Sequence, residues 1–274
     1  MTDTDTGPPQ AVATVTVVLV LRGPASALPQ TLDSLARQAR RPDRMVVVDL
    51  GEDGNAVETV RAHADLATAI PTITYVTVPA TSSVAAAVHA ALVATEAPGA
   101  PVGVADADAA SRQPVRGTTE HLWVLTSDSA AAPMTLARLL DAVRGSESVG
   151  IAGPKLLDWT VPGALRSVGV QLTRSGRLIP LPVVGEPDQG QYDRRSDVLA
   201  VPATGMLVER PLFDRLAGPD RAFGSFGGDV DLSWRAHQAG RRVVVVPRAT
   251  LRTGAPALAS DLDPADHGGD HSTD

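Results

Sequence analysis

Short apolar runs and helical repeats alternate along the first half of the chain. Thr14 to Leu21 is rich in β-branched residues and has the length of a buried strand. Leu28, Leu32 and Leu35 then recur at the spacing of one helix face. Met45 to Val48 follows as a second apolar strand. A strand, a helix and another strand in this order predict parallel strands that are joined by a right-handed crossover.

The same alternation continues as far as residue 144. It predicts a helix over 55–68, a strand at Ile73–Val78, a helix at Ser82–Ala94, a strand at Leu122–Leu125 and a helix at Pro133–Arg144. Residues 97–119 are rich in Pro, Gly, Ala and Asp and show no apolar period, so we expect a surface loop there.

The second half of the chain has a different pattern, with short strands and turns. The predicted elements are a strand at Val149–Ala152, a turn at Gly153-Pro154-Lys155, antiparallel strands within 164–185, short strands at Val198–Pro202 and Gly205–Val208, helices at Arg210–Ala217 and Asp229–Ala239, and a last strand at Arg242–Val246. The chain is therefore predicted to form one α/β domain over residues 13–252 with a parallel-dominated mixed sheet. Residues 1–12 are predicted to be a flexible leader, and 253–274 a disordered acidic tail.

Charge and composition narrow the class of protein. The net charge of −7 and the pI near 5.3 argue against binding to nucleic acid, which usually requires a basic face. The chain has no cysteine, which excludes disulfides, thiolate zinc sites and a cysteine nucleophile. The start of the chain is acidic, and no apolar run reaches about 18 residues, so we expect a cytoplasmic protein. A membrane-associated partner would place it at the inner face of the plasma membrane.

Three carboxylates stand where strands end or helices begin. Asp49 precedes a Gly-rich turn, so it suits hydrogen bonds to a base or a ribose, or else it satisfies its own turn. Asp128 follows the strand Leu122–Leu125 and is a candidate ligand contact or an N-cap for the next helix. Asp229 opens a helix after a Gly-rich loop. It is a candidate general base on a substrate hydroxyl, or a helix cap.

Several common catalytic motifs are missing from the sequence. It has no Gly-x-Ser-x-Gly elbow, no Gly-x-x-x-x-Gly-Lys-Ser/Thr loop and no Gly-x-Gly-x-x-Gly after the first strand. Asp106-Ala-Asp108 has the spacing of a metal site, but a flexible polar loop would not hold the ligands firmly. A serine hydrolase, a P-loop enzyme and a typical Rossmann dehydrogenase are therefore disfavoured.

The sequence around these carboxylates resembles the family 2 glycosyltransferases, which have the GT-A fold. The resemblance extends from about Thr14 to Pro247 and is closest to the actinobacterial members that build cell-envelope glycans. The matching blocks, in the order of the family, are Leu28-Pro-Gln-Thr-Leu-Asp-Ser-Leu-Ala-Arg-Gln38, Val46-Val-Val-Asp49, Ala85-Ala-Ala-Val88, Leu122-Trp-Val-Leu-Thr-Ser-Asp128, Gly153-Pro-Lys155 and Gly228-Asp-Val-Asp-Leu-Ser-Trp-Arg235.

The resemblance implies a nucleotide diphosphate sugar as donor, Mg²⁺ or Mn²⁺ as cofactor, and inverting transfer to a glycan or lipid-linked acceptor. By this resemblance Asp49 contacts the nucleotide base, and Arg22 lies on the donor side. Asp128 matches the last Asp of the Asp-x-Asp motif, whose metal neutralises the leaving diphosphate. Asp229 matches the catalytic base. Trp234 and Arg235 are expected near the acceptor or the diphosphate.

The sequence departs from the family pattern at four places. Thr126, on the donor side, replaces the first Asp of the Asp-x-Asp motif, and Gly228 replaces the Glu before the base. The turn after Asp49 reads Leu-Gly-Glu-Asp-Gly, and the His often found after the last strand is missing. Two hypotheses stay open. The first is a metal-assisted, inverting glycosyltransferase, and the second is a catalytically degenerate GT-A domain that acts as a binding or scaffolding module.

Overall fold

The computed structural model describes residues 12–22, 25–51, 54–78, 84–96, 118–172, 178–182, 185–194, 196–218, 220 and 227–254. The strands are β1 (Val12–Leu21), β2 (Arg44–Asp49), β3 (Ile73–Thr77), β4 (Thr118–Thr126), β5 (Ala130–Ala131), β6 (Val149–Asp158), β7 (Leu165–Ser167), β8 (Val170–Leu172), β9 (Leu178–Pro180), β10 (Leu207–Glu209) and β11 (Arg242–Thr253). The helices are α1 (Leu28–Ala36), α2 (Ala56–Ala62), α3 (Ala64–Ala69), α4 (Val84–Glu96), α5 (Thr135–Arg144), α6 (Arg210–Arg215) and α7 (Gly228–Gln238).

A sheet with the strand order β3-β2-β1-β4-β10-β6-β11-β5 forms the centre of the protein, and β7 pairs with β6 beside this path. The pairs β1–β2, β1–β4, β2–β3 and β6–β11 are parallel. The central strand β10 is antiparallel to both β4 and β6, so β6 runs in the same direction as β4. The predicted α/β class with a parallel-dominated mixed sheet is confirmed. The antiparallel hairpin β8–β9 also confirms the alternation within residues 164–185.

Helices cover both faces of this sheet, which is why its strands are apolar almost throughout. On one face, Val17, Leu19 and Trp123 pack with α1, α2, α3 and α5. On the other face, Val18 and Val124 pack with α4, α6 and α7. The strands that carry the predicted ligand-binding carboxylates are thus held rigidly from two sides.

The segment Gly153-Pro154-Lys155, which the sequence predicts to be a turn, lies inside the continuous strand β6. Pro154 has no N–H to donate, and the pairing with β11 shifts register directly beyond it, between Val246 and Thr250. The prediction is wrong because a strand with a local irregularity has the same Gly-Pro composition as a turn.

Two further predictions differ from the structure. The helix expected over 55–68 is interrupted at His63, whose Nδ1 accepts a hydrogen bond from the N–H of Leu66 and so begins α3. The strand expected at Val198–Pro202 is reduced to one isolated bridge, between Ala200 and Val170.

The ends of the predicted domain fall partly within strands. Val12 pairs with Thr118 at the start of β1 and β4, and β11 continues to Thr253. Residues 1–11, 97–117 and 255–274, which make up most of the predicted leader, loop and tail, lie outside the described residues. In the described part of the chain, no helix combines the length and the apolar character needed to cross a membrane.

Near the start of β4, His121 is buried with only 3 % of its surface exposed. Its pKa is lowered from 6.5 to about 4, mainly by burial; a hydrogen bond with the backbone of Thr119 opposes this shift, and the nearby charge of Arg144 adds to it. The unfolded chain therefore binds the proton first, and stability falls as the pH decreases from about 6.5 to about 4. A shift of this size is equivalent to about 3 kcal/mol.

We predict that His121→Gln removes this part of the pH dependence. Urea unfolding at a series of pH values should show that the wild type loses more stability than the variant between pH 7 and pH 4. The difference in free energy of unfolding between the two proteins should grow as the pH decreases through this interval, because it arises from protonation of His121 in the unfolded chain. Parallel stability curves for the two proteins would contradict the prediction.

A second prediction concerns Gly205, which has a φ of +90° in the turn that enters β10. A Cβ atom at this position would lie 2.5 Å from Cγ of Pro154. Gly205→Ala therefore combines backbone strain with overpacking, and should lower the free energy of unfolding by about 2–4 kcal/mol. Gly163→Ala is the matched control, because φ is +75° there and nothing lies within 4 Å of the added Cβ. If both variants lose the same stability in urea, the contact with Pro154 has no cost.

Candidate active site

The carboxyl ends of the parallel strands lie together at one edge of the sheet. β1 separates β2 from β4, and the register places Leu21 beside Asp49 and Val20 beside Thr126. Because neighbouring strands are about 4.8 Å apart, Asp49 and Thr126 are separated by roughly 10 Å across this edge. Open α/β sheets bind ligands at such an edge.

The two residues expected on the nucleotide side stand at the ends of β1 and β2. Oδ1 of Asp49 accepts a hydrogen bond from the N–H of Gly51 at 2.8 Å, so the turn role considered for this residue is present. Among the described residues, no hydrogen-bond donor contacts the second carboxylate oxygen of Asp49. Arg22 directly follows β1 and is partly exposed. Among the residues with described positions, no acidic side chain forms an ion pair with Arg22.

Asp128 lies in the tight turn after β4 and receives hydrogen bonds at both carboxylate oxygens. The hydroxyl of Thr126 donates to Oδ1 at 2.7 Å, and the N–H of Gly254 donates to Oδ2 at 2.9 Å. The hydroxyl of Thr253 lies 3.3 Å from Oδ2. Asp128 does not cap α5, whose N-cap is Met134. It instead joins the end of β4 to the end of β11.

A turn at 203–206 connects this region to the start of α7. The hydroxyl groups of Thr204 and Thr126 lie 3.2 Å apart. The N–H of the preceding residue, Ala203, donates to Oδ2 of Asp229 at 3.2 Å. Asp128 and Asp229 are therefore linked through Thr126 and two consecutive residues of one turn. The sequence predicts short strands on either side of Ala203-Thr204 and no site residue there, because no local signal indicates that this turn joins the two carboxylates.

Asp229 is the second residue of α7, after Gly227 in the N-cap position and Gly228. Its Oδ1 accepts a hydrogen bond from the N–H of Val230 at 2.9 Å, which gives it part of the helix-capping role considered from the sequence. Its Oδ2 points to the turn at Ala203. The side chain is only partly buried, which leaves it accessible to a ligand at the sheet edge.

For the divalent metal that the resemblance implies, this region offers one carboxylate, that of Asp128. Within the described ranges, no group of three or more His, Cys, Asp or Glu side chains is placed to hold a metal. Each carboxylate oxygen accepts about two hydrogen bonds, and Oδ1 of Asp128 has a single described donor. Mg²⁺ is commonly bound by one or two carboxylates together with substrate phosphates. The residues therefore fit a metal that arrives with a diphosphate, with Asp128 as its protein ligand.

The two residues expected near the acceptor or diphosphate have different surroundings. Trp234 is 44 % exposed on the outer side of α7. The guanidinium of Arg235 forms an ion pair with Asp231 at 2.6 Å and also donates to the carbonyl oxygens of Leu216 and Gly218. Burial raises the pKa of Asp231, but the hydrogen bonds from Arg235 and from the N–H of Asp220 outweigh it and leave the pKa lowered. Arg235 thus fastens α7 to the segment after α6.

Lys155 belongs to the family block Gly153-Pro154-Lys155, and the sequence alone predicts no role for it. It is on β6 at the same edge of the sheet, and only 4 % of its side chain is exposed. Its Nζ donates to Asp188 at 2.9 Å and to Asp193 at 2.6 Å. Burial lowers its pKa, but the two carboxylates outweigh this and leave the pKa raised. A signal was available, because Lys155 is the only lysine in a chain that otherwise uses arginine.

Comparison with known proteins now identifies the family. Residues 9–262 match the glycosyltransferase-like family 2. The chain belongs to this family. The resemblance to the family 2 glycosyltransferases is therefore confirmed, whereas the similarity to the actinobacterial cell-envelope members stays a prediction. No curated protein matches the chain at a significant level.

Solved structures with a similar fold include several glycosyltransferases. One is GalNAc-T7 with UDP, GalNAc and Mn²⁺, at 15 % identity and a TM-score of 0.62, covering 90 % of this chain and 44 % of that one. A mannosyltransferase from Pyrobaculum calidifontis with GDP-Man and Mn²⁺ has 18 % identity and a TM-score of 0.58, covering 93 % and 61 %. TarS from S. aureus with UDP-GlcNAc has 12 % identity and a TM-score of 0.55, covering 91 % and 61 %. At these identities the likeness establishes the GT-A fold. The present chain spans between 44 % and 61 % of the lengths of these proteins.

The Thr at the first position of the Asp-x-Asp motif gives a direct test of metal binding. In Thr126→Asp, a second carboxylate would stand against Oδ1 of Asp128 in place of a donor hydroxyl. Without metal the two negative charges should destabilise the variant by about 1–2 kcal/mol. With Mn²⁺ and UDP or GDP, the rise in melting temperature should be larger for the variant than for the wild type, because ligand binding stabilises the native state.

The control for this experiment is Thr126→Val, which removes the hydroxyl but adds no charge. It should show no gain from Mn²⁺ over the wild type. If Thr126→Asp responds to Mn²⁺ no better than Thr126→Val, the turn after β4 does not hold a metal.

Proposed function

We propose that this GT-A domain transfers a sugar from a nucleotide diphosphate sugar to a hydroxyl group of a glycan or lipid-linked acceptor, with inversion at the transferred carbon. One observation carries the proposal. The turn at 203–206 connects the carboxylate expected on the donor side, Asp128, to the carboxylate expected on the acceptor side, Asp229. Family membership and neighbours that were crystallised with UDP, GDP-Man or UDP-GlcNAc support the choice of donor.

The donor is proposed to lie along the carboxyl edge of the parallel strands. Asp49 contacts the nucleotide base through the oxygen that its turn leaves available, and Arg22 offers a positive charge to the anionic donor. Asp128 faces the diphosphate with Thr126 beside it. Mg²⁺ or Mn²⁺ bound there would supply charge neutralisation for the leaving diphosphate.

The acceptor is proposed to approach Asp229 from the other side of the same turn. Asp229 takes the proton from the acceptor hydroxyl, and the oxygen forms a bond to the anomeric carbon of the sugar. The bond from that carbon to the phosphate oxygen breaks, and the nucleoside diphosphate leaves with the electron pair. The N–H of Ala203 keeps the carboxylate of Asp229 oriented during these steps.

The alternative of a degenerate domain that only binds has one observation in its favour. Both carboxylate oxygens of Asp128 already accept hydrogen bonds from the protein, at Thr126 and Gly254. A donor diphosphate or a metal therefore has to compete with, or add to, existing contacts. The two candidate functions make different predictions for Asp229. Loss of its carboxylate strongly lowers sugar transfer if the domain is a transferase, and a domain that only binds has no transfer to lose.

We expect Asp229→Asn to lower the rate of sugar transfer by at least about 100-fold, because positioned general bases contribute this much or more. The measurement is release of UDP or GDP from a panel of nucleotide sugars in the presence of Mn²⁺ and glycan acceptors. Asp214→Asn is the matched control, because this carboxylate pairs with Arg210 on the exposed side of α6 and its loss should leave transfer unchanged.

Retention of transfer in Asp229→Asn would remove the base assignment. If the wild type binds a nucleotide diphosphate but never transfers a sugar from any donor in the panel, the binding module is the correct function.

A further inference from the structure

A cleft that is separate from the donor edge lies beside the second half of α7. Its volume is about 560 Å³. It is lined by Gln171 of β8, by residues 197–199, and by Trp234, His237 and Gln238 of α7. The exposed Trp234 ring is its largest apolar element, and Ile179, which pairs with Gln171 across the β8–β9 hairpin, is also 41 % exposed.

The cleft is built on fixed elements. Nε2 of His237 lies 3.2 Å from the carbonyl oxygen of Val198 and 3.1 Å from that of Leu199, which joins α7 to the floor of the cleft. On the opposite side, the N–H of Leu199 donates to the carbonyl of Val170 at 2.8 Å. Residues 197–203 are thus held between α7 and β8, and a ligand would meet a preformed surface.

The same segment connects the cleft to the proposed catalytic base. Its first part lines the cleft, and its last residue, Ala203, binds Asp229. Along α7, Trp234 lies five residues after Asp229, which is a rise of about 7.5 Å and a rotation of roughly 140°, so the two side chains leave different faces of the helix. A chain that presents its end to Asp229 would therefore reach Trp234 by following residues 197–203 around α7.

The chemistry of the cleft indicates what it binds. Asp197 is the one carboxylate among the lining residues of the cleft, and Arg242 neutralises its charge. Nε of Arg242 donates to Oδ1 of Asp197 at 2.7 Å, and Nη2 donates to Oδ2 at 2.8 Å. Hydrogen bonds from Arg242 lower the pKa of Asp197 and so keep this pair ionised. In the described part of the chain, the side-chain amides of Gln171 and Gln238 have no hydrogen-bond partner. An exposed indole with nearby amides and little net charge suits a neutral sugar ring, which has C–H faces for stacking and hydroxyls for hydrogen bonds.

Other occupants fit less well. A nucleic acid or an anionic headgroup would need free cations, and the guanidinium of Arg242 is already paired with Asp197. A protein partner would need a contiguous apolar patch of several hundred Å². The exposed large hydrophobic residues here are Trp234 and Ile179.

We infer that this cleft is a binding subsite for neutral sugar units of the acceptor glycan, with Trp234 as its stacking platform. The inference rests on the proposed transferase function, because it identifies the acceptor as an oligosaccharide that reaches beyond Asp229. The subsite contributes to binding of the acceptor, and Trp234 does not contact the reacting atoms.

The test is saturation-transfer NMR on the whole protein with neutral trisaccharides built from hexopyranoses and N-acetylhexosamines. We expect at least one of them to bind the wild type. Trp234→Ala should weaken this binding by at least about tenfold, and Trp234→Phe should keep most of it, because an aromatic face remains. Met134→Ala is the control, because it removes an exposed apolar side chain at the N-cap of α5, on another element. Circular dichroism establishes that each variant is folded.

Two outcomes overturn the inference: no trisaccharide binds the wild type, or Trp234→Ala binds as tightly as the wild type. A change in sedimentation of the purified Trp234→Ala variant without any sugar binding would assign the surface to contact between copies of this chain instead. The transfer assay separates this failure from failure of the proposed function. If transfer occurs and Trp234→Ala leaves KM for the acceptor unchanged, the subsite is wrong and the function stands. If the wild type transfers nothing but binds the trisaccharide through Trp234, the proposed function is wrong and the cleft is a sugar-binding site without an acceptor role.

Discussion

The antiparallel strand β10 is the constraint on which the candidate site depends. It lies between β4 and β6, which run in the opposite direction, so the residues that precede it are delivered to the carboxyl edge of the parallel strands. These residues include Ala203, whose backbone N–H donates to Asp229, and Thr204, whose hydroxyl contacts that of Thr126. A parallel strand in this place would have brought its other end to the edge. The antiparallel direction of β10 is therefore the reason that Asp128 and Asp229 are both connected to the turn at 203–206.

Several small residues make this arrangement possible. Gly205 adopts a φ of +90° and lies against Pro154, and Gly153 leaves no room for a side chain because Val201 fills that space. The N–H of Gly205 also donates to the carbonyl of Val124 at 2.7 Å, which fixes the turn to β4. Close approach of three backbone segments requires glycine at such points. The candidate site is thus positioned by backbone packing, and its polar side chains come from elements that the core already holds.

Polar contacts then divide the edge into regions with different chemistry. Asp128 accepts from the protein at both oxygens, Lys155 is enclosed by two carboxylates, and Arg235 is committed to Asp231 and two carbonyl groups. These pairs are largely satisfied before any ligand arrives, and such satisfied networks specify one arrangement. Among the described residues, Arg22 near the carboxyl edge is partly exposed without an ion pair, and Trp234 is exposed beside the cleft on α7. The positive charge of Arg22 suits an anion, and the aromatic face of Trp234 suits a neutral ring.

The sequence by itself determined the order of elements, the α/β class, the parallel pairing of the first strands and the positions of Asp49, Asp128 and Asp229, because hydrophobic periodicity and strand-end carboxylates are local signals. The resemblance to family 2 glycosyltransferases also followed from local blocks. Only the tertiary structure decided that Gly153-Pro154-Lys155 continues a strand, that Asp128 binds Gly254, and that Thr204 lies against Thr126. These facts depend on contacts between residues as far as 126 positions apart, and no periodic pattern encodes them. The partner of a side chain is set by packing of the whole sheet, which the chain establishes only when it folds.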